Sequence, residues 1–410
     1  MKARICLVSP GHVASNPRLV KEANALSDAG YQVRVVAGDY MAEVRLLDKS
    51  IFSRASWKWV TVGLGTKFIY IWRKIKQKLA RLLAATGWIP NLPVATWGHH
   101  PLSKKLAQVA AAETADLYIA HCLAALPAAA WAAKKHHAKF GFDAEDFHIG
   151  ELADTPENQT EIRIRDYLER TLLPHCSHLT AASRKIAEAY YKRYEVKMQP
   201  ILNVFPLEEV PKSYQEANDC YNETPSLYWF SQTIGAGRGL EAIVQAMAKM
   251  QTQVKLFLRG IPASGYQEQL KTLARELGVE AQVHFLPSAP PDKMIELAAE
   301  HDIGLSLELN SPLNRAICLT NKIFTYLLAE LPVLMSRTPA QEDFAKQLGE
   351  AAILIDINDT DSIAKTLDNF LSQPNKLVSA RAQARKLGQE VYNWDVEKKH
   401  FLNLVEESLR

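Results

Sequence analysis

Apolar residues recur in two rhythms along this chain, and the alternation between them predicts its architecture. In the first half, short apolar runs bounded by turn residues, "RICLVSP", "YQVRVVAG", "ADLYIAH", "AKFGFDAE" and "HLTAAS", read as buried strands. Helical stretches such as "RLVKEANALSDAG", "LAALPAAAWAAKKHH" and "ENQTEIRIRDYLERTLL" separate them. Ser15 or Asn16 ahead of Pro17 marks a helix start, and Gly30 a stop. The polar, proline-bearing stretch "FPLEEVPKSYQEANDCYNETPS" interrupts the pattern. It then resumes with strands "SLYWFSQ", "VKLFLRG", "VHFLPS", "DIGLSLE", "PVLMS" and "AAILID". Strands alternating with helices imply parallel sheets, and two series imply an α/β protein of two doubly wound domains facing across a cleft. The expected boundaries are a first domain over 1–203, a linker over 204–225 and a second domain over 226–390.

Composition changes this picture little. A chain of 410 residues, 48% hydrophobic and 23% charged, is ordinary globular protein and long enough for two cores. The cysteines, Cys6, Cys122, Cys176, Cys220 and Cys318, are scattered without a C-x-x-C pair, which argues for a reducing compartment, no disulfide frame and no zinc site. The apolar run in "MKARICLVSPG" is too short for a signal sequence and reads as a first strand, so the expected location is the cytoplasm. No segment approaches the roughly 20 apolar residues of a spanning helix.

Charge distribution is more informative. From Lys49 to Ala112 there is no acidic residue, while eleven basic residues and Trp57, Trp59, Trp72, Trp88 and Trp97 fall inside. Within this basic aromatic insert, "FIYIWRKIKQKLARLLAA" places Phe68, Ile71, Trp72, Ile75, Leu79 and Leu82 on one helical face, with Lys67, Lys74, Lys78 and Arg81 along the adjoining edge. Two readings stand: contact with an anionic membrane surface, or a domain helix packed on its apolar face with a solvated basic rim. No recognised module accompanies the charge to make nucleic acid a partner.

In doubly wound sheets ligands bind beyond the carboxyl ends of the strands, so the loops there are where chemistry belongs. In "FSQTIGAGRGLEAIVQAM", Gly235, Gly237 and Gly239 let the backbone approach a ligand, and Arg238 stands at a helix start whose dipole favours anions. The same glycines also suit a plain flexible turn. A second helix start lies in "LTNKIFTYLL", with Thr320 as N-cap and the amides of Asn321 and Lys322 opening the helix. Two such starts in one domain suit a diphosphate.

At these residues the chain resembles a retaining glycosyltransferase of the GT-B fold, two Rossmann-like domains of the large family 4 (group 1) type. "SNPRLVKEANALSDAGYQVRVV", "ADLYIAHCLAALPAA", "AKFGFDAED" and "ILNVFP" resemble its first domain, and "LTNKIFTYLLAELPVL" its donor site. "YNWDVEKKHFLNLVEESL" resembles its terminal helix, which implies that 391–410 crosses back to the first domain. The resemblance assigns Arg238 to the donor diphosphate, the amides from Thr320 to Lys322 to phosphate or sugar, and His121 to the acceptor side. It implies a nucleotide-sugar donor, a carbohydrate or lipid-linked acceptor, and no metal or other cofactor.

The departures matter equally. The paired glutamates that commonly hold the donor's sugar and ribose fall on Ile317 and Thr325, and a common glycine falls on Glu330. Thr325 is expected to face the ribose. Glu308 and Arg315, on the loop before the helix, offer replacement polar groups, with Glu308 alternatively a solvated acid. Arg259 either reaches the nucleotide or serves as an ion-pair partner. Gly11 and His12, after the first strand, stand on the acceptor side or in a plain loop. Asp143, Glu145 and Asp146 supply an acceptor base or cap a turn. His136 and His137 read as a solvated helix end. The expected activity is sugar transfer in polysaccharide or glycolipid synthesis. Its rivals are a non-catalytic GT-B module in a polysaccharide-assembly complex, and an epimerase or phosphorylase of the same fold.

Overall fold

The computed structural model describes residues 2–211 and 224–410. The chain divides into two compact units, one of Met1–Ile201 with Lys398–Arg410 and one of Leu202–Glu397. The first contains seven strands: β1 (Arg4–Val8), β2 (Gln32–Asp39), β3 (Lys58–Gly63), β4 (Leu117–His121), β5 (Lys139–Ala144), β6 (His178–Ala181) and β7 (Gln199–Pro200). All pair in parallel, in the order β3-β2-β1-β4-β5-β6-β7. The central strands are apolar on both faces because helices cover both, as parallel sheets require. The helix Leu126–His136 covers one strand pair with Ala128, Ala129, Ala132 and Ala133, all buried. Its left-handed stop is His137, while His136 bonds the Ala111 carbonyl, so this histidine pair closes a helix.

The second unit holds β8 (Ser226–Ile234), β9 (Lys255–Pro262), β10 (Val283–Leu286), β11 (Ile303–Ser306), β12 (Val333–Ser336) and β13 (Ala352–Ile355). These are parallel too, in the order β10-β9-β8-β11-β12-β13. Its core gathers Leu227, Trp229, Leu258, Leu305, Leu334 and Ile363 between sheet and helices. A side chain at Gly304 would overlap the Tyr326 ring at 2.2 Å, so β11 carries glycine where the helix Asn321–Leu328 lies against it.

The strands expected from the sequence all form, and β3 and β7 are additions. Glu308 lies two residues beyond β11 rather than at its end. Around the start of the expected linker, the Leu202 and Leu207 amides bond Glu397 and Asp395, and the Trp394 amide bonds the Phe205 carbonyl. Residues 212–223 of it, with Cys220, lie outside the described residues. The division between units falls inside the helix Trp394–Leu409, whose residues from Lys398 onward belong with the first unit.

The basic segment is only partly an insertion. β3 pairs with β2 at the sheet edge, and the helix Ser103–Ala110 buries Leu106 and Ala110 in the core. Trp57 is buried with its Nε1 donating to Asn24 at 2.8 Å, and Trp59 stacks on Phe52. The helix Lys67–Ala85 is inverted. Its buried positions are Ala80 and Ala84, with Gln77 and Arg81 beside them donating to the carbonyls of His99 and Gly98. Arg81 also pairs with Glu161. The apolar face points to solvent, with Phe68 69%, Trp72 50% and Leu79 57% exposed. Packing on that face, one of the two readings above, is partial: its apolar residues stay 43–69% exposed. No described helix is long and apolar enough to cross a membrane.

Candidate functional site

In the second unit the strand order reverses between β8 and β11, so a ligand site is expected beyond their carboxyl ends. β8 runs into the turn Gly235–Gly239. Gly237 and Gly239 have φ of 70° and 73°, and a side chain at Gly239 would also press Ile357 at 3.0 Å. Gly235 carries no such requirement. Arg315 Nη1 donates to the Gly237 carbonyl at 2.7 Å and fixes the turn. Arg238, half-buried within it, has no hydrogen-bond or ion-pair partner among the described residues.

Beside this turn the helix Asn321–Leu328 begins uncapped. Thr320 occupies the N-cap position, but its hydroxyl lies 3.4 Å from Ser306 at the end of β11 and bonds no helix amide. The Asn321 and Lys322 amides therefore stay open at the positive end of a helix dipole. Lys322 is buried, its Nζ 3.8 Å from Glu308 Oε1 and 5.6 Å above the Trp229 ring. Burial lowers its pKa, Glu308 opposes this, and Arg238 and Arg315 push the same way as burial. Lys322 is the cation paired with that carboxylate, and Arg238 and Arg315 add positive charge near it. Nothing in an aromatic strand residue distinguishes Trp229 from core, which is why the sequence does not announce it.

Two expected donor residues are committed elsewhere. Arg259 Nε donates to the Tyr228 hydroxyl at 2.8 Å and Nη1 to the Pro287 carbonyl at 3.1 Å, so the guanidinium braces β9. Thr325 is 1% exposed, and its hydroxyl donates to the Asn321 carbonyl at 3.3 Å within its own helix. It does not present that hydroxyl to a ribose. Ile317 is buried as well.

The first unit's sheet reverses between β1 and β4, and a buried charge network sits there. His121, ending β4, is 0% exposed. Its Nε2 lies 3.3 Å from Glu22, and its Nδ1 3.2 Å from Glu145 and 3.4 Å from Asp143. Asp143 takes Arg18 on both oxygens, at 2.5 and 2.7 Å, and the Thr180 hydroxyl at 2.7 Å. Burial works against every charge here, yet the surrounding carboxylates raise His121 to about 10 and Arg18 and His121 hold Asp143 down at about 2. Glu22 is raised, by burial first and by Asp143 second. Arg18 and Glu22, one helical turn apart, are the members that sequence reasoning missed; an (i, i+4) pair on a core-facing stripe was the available signal.

This network occupies two of the residues expected on the acceptor side. Asp143 has no oxygen to spare for an acceptor, and His121 is sealed beneath the surface. Of the three residues, Glu145 is the partly exposed one, and it receives Asn16 Nδ2 at 2.6 Å. Glu22, His121 and Asp143 are also the described group spaced to hold a cation, and Arg18 pairs with two of them, Glu22 and Asp143. His12 is committed inward too. Its Nε2 accepts the amides of Tyr40 and Met41 at 2.9 and 2.8 Å, which leaves the proton on Nδ1, 2.6 Å from Asp48. Gly11, whose carbonyl accepts the Gly38 amide, belongs to the same tied loop.

Two family models match this chain. Residues 15–203 fit the glycosyl transferase 4-like domain, and residues 221–387 fit the glycosyl transferases group 1. No curated protein sequence matches. Among solved structures, HepE of Anabaena in complex with UDP and glucose is 17% identical, with a TM-score of 0.69 over 99% of this chain and 100% of its own. The same protein has been solved with UDP-glucose. Sucrose-phosphate synthase of Thermosynechococcus elongatus is 13% identical, TM-score 0.71, over 99% of both chains. A UDP-forming trehalose-phosphate synthase of Burkholderia xenovorans is 14% identical, TM-score 0.66, over 100% of both. At such identities these likenesses speak to the fold, GT-B.

Proposed function

The chain is a glycosyltransferase of the group 1 type with a 4-like domain at its N-terminal side, and from that premise we propose that its second unit grips a nucleotide-sugar by the diphosphate. The sugar passes, with retention, to a carbohydrate or lipid-linked acceptor in polysaccharide or glycolipid synthesis. The observation that carries this reading is the cation surplus at the open helix starts: Arg238 unpaired, Lys322 buried against a single carboxylate, and two free amides beside them. As the bond to the leaving diphosphate breaks, negative charge grows on its oxygens. Fixed donors stabilise that charge without reorganising, so the reaction needs no metal ion. A bound diphosphate also favours the charged form of Lys322, against the burial that lowers it. Arg315 keeps the turn in place, and Glu308 receives sugar hydroxyls.

On the first unit's side, Glu145 takes the acceptor hydroxyl, while His121 and Asp143 position it. The outward apolar face of Lys67–Ala85 supports a peripheral place at an anionic membrane, on its cytoplasmic side, and so a lipid-linked acceptor. Titration calorimetry with UDP-, GDP- and ADP-sugars, followed by a hydrolysis and transfer assay, tests the donor reading. UDP-sugars are expected to bind saturably and turn over. No saturable binding by any of the three overturns the donor site, and binding without turnover overturns transfer.

A further inference from the structure

One cavity lies away from both sheet ends. It measures about 240 Å³ and opens between the start of the helix Lys67–Ala85 and the segment from Trp97 to Gln108. Phe68, Trp72 and Trp97 form its apolar wall, and Lys76, Lys104 and Lys105 its rim. Lys76 Nζ stands 5.6 Å above the Trp97 ring, and none of the three lysines has a carboxylate partner among the described residues. Arg73, also on the lining, is held by the Leu64 carbonyl at 2.8 Å. A carboxylate on the helix behind, Glu161, is already shared among His99, Arg81 and Arg165. Burial, with His99 and Lys74 adding to it, lowers His100 to about 4, so that lining residue is neutral and the charge comes from lysine and arginine.

Size narrows the occupant. Sites for drug-sized ligands span about 300–1,000 Å³, so this cavity suits a phosphate with a few attached carbons and not a sugar nucleotide. The exposed apolar face that continues from Phe68 and Trp72 along Ile75 and Leu79 suits hydrocarbon. We propose that this cavity seats the phosphate headgroup of one anionic phospholipid, with its chains lying along that outward face. The proposal rests on the membrane reading above but asks for more: a discrete, saturable lipid site in place of diffuse attraction.

The probe is dihexanoyl phosphatidylglycerol, kept monomeric below its micelle concentration and titrated into the full-length protein. Saturable binding at one lipid per chain is expected. Lys76→Gln with Lys104→Gln and Lys105→Gln should weaken it tenfold or more. The charge-matched set Lys67→Gln, Lys74→Gln and Lys78→Gln, outside the cavity, should change it less than twofold. Thermal melts of both sets are compared with the parent, and a cavity-filling Gln108→Trp variant serves if the first set does not fold. Glycerophosphate or inorganic phosphate at the same concentration should not displace the lipid; displacement would make this a soluble phosphate-ester site and overturn the assignment. Absent saturation, or equal loss in both sets, overturns the cavity. Sedimentation with phosphatidylglycerol vesicles then separates the two claims, because vesicle binding without monomer binding leaves the membrane reading standing alone.

Discussion

The two sheets share one succession of strands, yet the charges at their carboxyl ends meet opposite fates. Beyond β1 and β4, Arg18 and His121 are enclosed by Glu22, Asp143 and Glu145, and each buried cation faces carboxylates of its own cluster. Beyond β8 and β11, Lys322 pairs with Glu308, Arg315 is held by the Gly237 carbonyl, and Arg238 has no hydrogen-bond or ion-pair partner among the described residues. A topological switch point therefore marks where a site can form, but charge balance decides whether an anion is wanted there. In the first unit's network each buried cation is set against buried carboxylates, so its members hold one another. The second unit's network is unbalanced, and a diphosphate would complete it.

The largest expected effect comes from breaking the balanced network. Asp143→Ala takes that carboxylate away from Arg18 and His121, both buried, and removing one partner of a buried pair costs about 3–5 kcal/mol. The urea midpoint should fall accordingly, while nucleotide affinity, which the proposed donor site puts in the other unit, stays within about twofold of the parent. A stability within about 1 kcal/mol of the parent would show that water reaches this cluster and that the contrast between the two ends is false.

A pH series tests the same balance more gently. His121 binds its proton more tightly folded than unfolded, with a value raised to about 10 from near 6.5. Its contribution is therefore full below about 6.5 and is lost as pH climbs through about 10. Asp143 runs the other way: lowered to about 2, its contribution is full above the ordinary carboxylate range and is lost as pH falls through about 2. Melting temperature should decline from neutral to alkaline pH, and His121→Gln should flatten that limb. A mutant whose alkaline decline matches the parent's would mean that another group carries it.

For the unbalanced end the expected effect is on binding alone. Arg238→Ala should weaken nucleoside-diphosphate binding by about 1.5–3 kcal/mol, the range of charge-assisted hydrogen bonds, and leave the ligand-free melt unchanged because it breaks no internal contact. Equal affinity in mutant and parent would remove Arg238 from the site. An altered melt would mean that the guanidinium has a partner after all.

Much of this contrast was legible in the sequence, but unevenly. Apolar runs located the strands because burial on both faces of a parallel sheet leaves a continuous signal; β3 escaped because its edge position leaves it largely exposed, and β7 because it is only two residues long. The glycine turn and the helix start at Thr320 were visible for a comparable reason, since backbone geometry restricts residue type. Glu330 is the instructive exception. It adopts the left-handed φ of 61° where the resembling family has glycine, so the backbone keeps a geometry that its residue no longer announces. What no local pattern could reveal was allegiance. His12, Arg259 and Asp143 look like ligands when read singly, and become structural only when partners 36, 31 and 125 positions away are brought up to them.

The smallest expected effect concerns Thr325, where position and packing disagree. Position within the donor motif asks for a ribose contact, whereas the structure turns the hydroxyl back onto the Asn321 carbonyl and buries the residue to 1% exposure. A helical threonine bonded to the carbonyl four residues back gains little from that bond, since the carbonyl already accepts within the helix. Thr325→Val keeps the shape and removes only the hydroxyl, so donor affinity should move by less than twofold and stability by less than about 1 kcal/mol. Calorimetric titration of the same donor into both proteins decides it. A tenfold loss, with the melt unchanged, would put the Thr325 hydroxyl on the ribose. The helix Asn321–Leu328 would then have to shift when donor binds, because its ligand-free packing leaves that hydroxyl no path to solvent.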